Sequence, residues 1–138
     1  ITTIDVLMKH FDKKAQKFVS NMIFDTMPVI SVQSGLCRYN FRCQHNAVND
    51  AFINNQDKIA MCFYFDGGRP IIHFININSD GSYTDNTLGQ WSRTFQYYLI
   101  RIIEKDDFFK VNTIFSEYRA ELQKKMPFFT RTFSTIEF

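Results

Sequence analysis

Apolar side chains recur at three- and four-residue intervals near the start of the chain: Ile4, Leu7, Met8, Phe11, Ala15, Phe18, Val19, Met22 and Ile23. That spacing predicts an amphipathic helix of about five turns. Asp12, Lys13, Lys14 and Lys17 fall largely off the stripe and form its solvated face. Thr26-Met27-Pro28 stops it, and a short extended piece follows over 29–33. Ser34 then reads as a helix N-cap. A second helix is expected over 36–54, with a stripe of Cys37, Phe41, Gln44, Val48, Ala51 and Phe52. Residues 58–65, KIAMCFYF, are apolar throughout and read as a central strand. Residues 94–103, TFQYYLIRII, read as another. A last helix is expected over 106–126, capped by Asp106, with Phe108, Val111, Phe115, Tyr118 and Leu122 as its stripe. Pro127 ends it, and the tail 128–138 is expected to be extended. The expected class is α+β: an antiparallel four-stranded sheet packed against helices, in a single domain over 1–138.

Between the two strands lies 70–89, PIIHFININSDGSYTDNTLG, which alternates like a hairpin. Ile71, His73, Ile75 and Ile77 share one face, and Tyr83, Asp85 and Thr87 share one on the return. Register decides whether His73 meets Asp85. A two-residue Asp80-Gly81 turn places them on opposite faces. A three-residue Ser79-Asp80-Gly81 turn, with Gly81 left-handed, makes them same-face diagonal neighbours roughly 7–8 Å apart.

Composition narrows the possibilities. A chain of 138 residues is long enough for a core, and 45% apolar with 22% charged suits a globular protein. Sixteen phenylalanines promise a core of large rings. Abundant Asn, Ile, Lys and Tyr match AT-rich coding sequence, as in phages or low-GC bacteria. A net charge of +2 gives no reason to expect nucleic acid. No apolar run is long enough to span a membrane, and no signal peptide is expected. Three cysteines, an odd number, fit a reducing, cytoplasmic setting better than a disulfide framework. No cofactor is expected, and no metal: only Cys43 and His45 show ligand-like spacing.

Cys37 is the leading nucleophile candidate. In the first turn of a helix, free N–H groups and the helix dipole favour a thiolate and can hold an oxyanion. His73 would take the thiol proton, Asp85 would orient the imidazole, and Gln33 could donate to the oxyanion. Cys43 competes, because Cys43-Gln44-His45-Asn46-Ala47 would itself be a nucleophilic start if the helix began later. The two cannot face one histidine together. Cys62, mid-strand, reads as core.

Gly35-Leu36-Cys37 at a helix start, His73 on a strand, and Tyr83-Thr84-Asp85-Asn86-Thr87-Leu88-Gly89 on the next resemble the transglutaminase-like branch of the papain-like cysteine enzymes. That family sets Cys at a helix N-terminus, and His and Asp on adjacent strands. Asn86 stands where its Asp-Pro-Thr motif has proline, and Phe74 and Ile75 follow the histidine where tryptophan is frequent. The resemblance implies a Cys37–His73–Asp85 triad acting on a protein or peptide amide, as a peptidase, deamidase or cross-linking enzyme. The alternative is a non-catalytic binding module or inhibitor on the same fold.

Overall fold

The computed structural model describes residues 2–38 and 40–138. They fall into two compact units, one of residues 2–26 with 112–138 and one of 27–38 with 40–111.

The first unit is helical. Helix α1, Thr3–Thr26, opens on a reciprocal cap: Thr2 N–H donates to Asp5 Oδ2 (3.2 Å) and Asp5 N–H to Thr2 Oγ1 (3.1 Å). Helix α3 spans Val111–Lys125. The expected extended tail is instead led by a short helix, α4, at Phe128–Phe133. Pro127 removes an N–H that a first helical turn does not need, so the chain re-enters a helix immediately after the stop. Phe133 stacks on Phe11 at 5.5 Å. Asp12 then fastens the tail, accepting from Ser134 Oγ (2.8 Å) and Thr135 N–H (2.7 Å).

The second unit holds the sheet and helix α2, Cys43–Ile53. Six strands replace the expected four: β1 Val29–Ile30, β2 Val32–Ser34, β3 Lys58–Asp66, β4 Arg69–Ile77, β5 Tyr83–Asp85 and β6 Tyr97–Glu104. Their order is β1-β6-β3-β4-β5-β2, and one pair, β2 with β5, is parallel. The two extra strands come from the single extended piece after α1. Only Ser31 separates β1 from β2, yet they lie at opposite edges. One residue spans about 3.8 Å, so the sheet must curl until its edges nearly meet. Inside the curl pack Ala60, Cys62, Ile75 and Tyr97, with Ile30, Val32, Ile77, Tyr83, Phe95 and Leu99 around them.

Helix α2 begins at Cys43, seven residues later than the sequence suggests. Of the expected stretch, residue 39 lies outside the described residues. Residues 35–38 bond elsewhere: Gly35 N–H donates to Asp85 O (3.0 Å), Arg38 N–H to Thr87 O (2.8 Å) and Leu36 N–H to Asn86 Oδ1 (3.1 Å). These interactions extend β2 along the loop after β5 and leave no backbone free for a helix. Ser34 is the last residue of β2, not a cap.

The final element differs too. A 3-10 turn over Lys105–Lys110 precedes α3, and Asp106 sits within it. Another 3-10 turn, Gly89–Thr94, takes Thr94, the first residue of the expected fourth strand, which begins at Tyr97.

Candidate active site

The hairpin has the three-residue register. Asn76 pairs with Thr84 and Ile77 with Tyr83, and Gly81 takes φ 87°. A side chain other than glycine would be strained there. Because residue numbers in each pair sum to the same value, Asp85 lies diagonal to His73 on the inner face. His73 Nε2–H donates to Asp85 Oδ2 at 2.8 Å. Both are buried, His73 at 4% exposed and Asp85 at 0%.

Asp85 receives three more hydrogen bonds. Thr87 N–H (2.9 Å) and Leu88 N–H (3.0 Å) donate to Oδ1, and Tyr97 O–H donates to Oδ2. A carboxylate has about four lone-pair sites, so this one is saturated. Burial alone would raise its pKa, but the bonds from His73, Tyr97 and the Leu88 backbone hold it below the ordinary value.

The sulfur facing His73 belongs to Cys43. Burial would push the imidazole down, yet hydrogen bonds to Asp85 and then Cys43 carry it up to about 10. Asp85 occupies Nε2, which leaves Nδ1 without a bond to the carboxylate. Cys43 is the first residue of α2 and is half-buried, while His73 and Asp85 are buried. Arg42 fills the N-cap position without a side-chain cap, and the first intrahelical bond is Asn46 N–H to Arg42 O (2.8 Å). The N–H groups of Cys43, Gln44 and His45 precede that bond and have no partner within the helix. Cys43 Sγ also donates to Gln44 Oε1 at 3.2 Å.

Cys37 is elsewhere. It is exposed, lies outside any helix and bridges Leu88. Its role is backbone: a Cβ on Gly89 would lie 2.6 Å from Cys37 Cβ, at a φ of 55°. That Gly89-to-Cys37 contact seats the loop carrying the Leu88 N–H. Gln33 lies in β2 opposite Thr84 and is exposed. Alternation turns its side chain away from the face of Val32. Cys62, opposite His73 on β3, is buried with its thiol pKa pushed well up by desolvation.

A polar frame fixes α2 against the Asp85 loop. Asn46, buried one turn after Cys43, donates to Thr87 Oγ1 (2.8 Å). Arg38 grips Asp50 of α2 through two bonds (2.6 and 2.9 Å) and donates to Asn86 O (3.1 Å). Asn86 Nδ2 donates to Asn76 Oδ1 (3.0 Å), and Asn76 Nδ2 to Ala47 O (2.8 Å). Around His73, Tyr64 meets the ring edge-on at 5.2 Å.

Sequence reasoning passed over Tyr97, Asn46 and Arg38. Asn46 carried a usable signal, since it falls three residues after a cysteine and on the same helix face. Among the described residues, no group of three His, Cys, Asp or Glu is arranged to hold a metal ion, and no helix is long and apolar enough to cross a membrane. Compared with known protein families, characterised proteins and solved structures, the chain matches none.

Proposed function

We propose that the chain is a thiol-dependent acyl-transfer enzyme acting on a protein or peptide amide, with Cys43 as nucleophile. One observation carries this reading. A buried imidazole bonds a carboxylate through Nε2 and lies beside the thiol of Cys43 at a helix N-terminus. The order of cysteine helix, histidine strand and aspartate strand supports a transglutaminase-like relationship, with Cys43 in place of Cys37.

In this mechanism the Cys43 proton already rests on His73, whose raised pKa of about 10 keeps the ring protonated at neutral pH, and the sulfur forms a bond to the amide carbonyl carbon. The oxyanion accepts from the free N–H groups at the start of α2. Collapse breaks the C–N bond, and the imidazolium gives its proton to the departing amine. The resulting thioester passes its acyl group to water or to an acceptor amine, with His73 again removing the acceptor's proton. Asp85 stays ionised and holds the ring. Three free cysteines suit a reducing compartment such as the cytoplasm.

Alkylation by iodoacetamide tests the reading. Cys43 should label faster than free thiol at neutral pH, Cys43→Ala should remove that fast phase, and Cys37→Ala should keep it. Labelling of Cys43 at the rate of Cys37 would leave a binding protein built on the same frame.

A further inference from the structure

Tyr97 has no part in the chemistry just described, yet it reaches into its centre. Its ring is 1% exposed, and its hydroxyl donates to Asp85 Oδ2, the same oxygen that accepts from His73 Nε2. Two donors therefore divide the negative charge of one oxygen.

Register shows how the phenol gets there. On the far side of β6, Ile103 pairs with Ile59 and Arg101 with Met61. The ladder then shifts between Met61 and Cys62, so that Leu99 pairs with Cys62 and Tyr97 with Tyr64. Ile100 is the extra residue of a β-bulge. In an unbroken strand Tyr97 and Ile103 would share a face. The bulge instead turns Tyr97 to the inner face, beside His73. Bulges next to active sites commonly re-aim one side chain in this way.

We propose that Tyr97 is a positioning residue that draws charge from the Asp85 oxygen facing His73, and so sets how readily the imidazole returns its proton. The proposal rests on the acyl-transfer reading for its consequence, though not for its geometry. With Tyr97 donating, Oδ2 pulls less strongly on the Nε2 proton, and the imidazolium can release its other proton to the leaving amine. Without that donor, the buried carboxylate concentrates its charge on His73, and the imidazolium becomes harder to deprotonate. The other groups facing the pair are Cys43 from α2 and Cys62 and Tyr64 from β3. Desolvation keeps both Cys62 and Tyr64 neutral near pH 7, so Tyr97 is the neutral donor that modulates the aspartate.

The test is an NMR titration of the His73 ring nitrogens in the whole chain, wild type against Tyr97→Phe. Phenylalanine keeps the ring that packs in the inner core and removes the hydroxyl alone. The His73 midpoint should move up by on the order of one unit. The alkaline limb of turnover should move with it. An unchanged midpoint in a folded variant overturns the proposal, because loss of packing alone would not move it. Should Tyr97→Phe fail to fold, Asp85→Asn gives the converse measurement. With the buried charge gone, the Tyr97 phenol should titrate at lower pH by absorbance, and a phenol that does not move overturns the proposal equally. Slow alkylation of wild-type Cys43 would instead defeat the acyl-transfer reading and leave the titration result standing.

Discussion

His73 and Asp85 are separated by 2.8 Å in space and by a three-residue turn in sequence, with Gly81 at its left-handed position. The diagonal contact depends on that turn. A two-residue turn would put the carboxylate on the outer face. The hairpin is thus the element that brings imidazole and carboxylate together, before any contribution from α2.

Asp85→Asn should cost about four powers of ten in turnover, as loss of the orienting carboxylate does in comparable triads. Single-turnover kinetics should place the loss in acylation, with little change in substrate affinity. Asn86→Ala is not a neutral control, because Asn86 bonds both Leu36 N–H and Asn76. A better one is Ser79→Ala, at the exposed tip of the turn.

Stability should depend on pH from both sides of the pair. His73 is raised from 6.5 to about 10 in the folded chain. Its contribution is therefore complete below pH 6.5 and lost as pH climbs through about 10. Asp85 is lowered from 3.8, so its contribution is present above that value and lost as pH falls below it. Urea midpoints measured across pH should peak between these limits, and Asp85→Asn should flatten the curve.

Gly89→Ala should destabilise the chain by about 1–3 kcal/mol, since it puts a Cβ at a positive φ and against the Cys37 backbone. Thermal melting would measure the loss. The labelling rate of Cys43 should fall as well, because the displaced loop carries the Leu88 donor to Asp85.

Arg38→Met should lower stability by about 1–3 kcal/mol, leaving Asp50 with its charge buried at the centre of α2. Arg38 is partly exposed, which keeps the figure below that of a fully buried pair. Combining it with Asp50→Asn should cost less than the sum of the two single changes in urea unfolding.

Period-based reading found what local pattern encodes. The stripe from Ile4 to Ile23 marks α1, and alternation with Ser79-Asp80-Gly81 marks the hairpin. It misplaced the start of α2, because Ser34-Gly35 carries a good cap signal that tertiary pairing overrides. The N–H groups of Gly35, Leu36 and Arg38 bond a loop fifty residues away, and no local propensity reports that. The same override exchanged the sulfur at the site, Cys43 for Cys37. The split of 29–34 between opposite sheet edges was invisible for a similar reason, since two strands joined by one residue look like a single strand. Tyr97 was hidden by phase, because alternation read across Ile100 assigns it the face of Ile103.

The bulge at Ile100 also makes β6 readable in two frames. If the extra residue were absorbed by a one-step slip, Ile100 would stand opposite Cys62 and Tyr98 opposite Tyr64. Under that step the inner-face positions keep their chemistry, an aliphatic opposite Cys62 and a phenol opposite Tyr64. Hydrophobic patterning, which ordinarily penalises a slipped strand, is therefore nearly silent here. What distinguishes the frames is the anchoring at the sheet edge: the pairing of Val29 and Ile30 with Tyr98 and Tyr97, and the bond from Leu99 N–H to Pro28 O (2.9 Å). The two-residue strand β1, the shortest in the sheet, thus acts as the reading-frame lock for the tyrosine that serves Asp85.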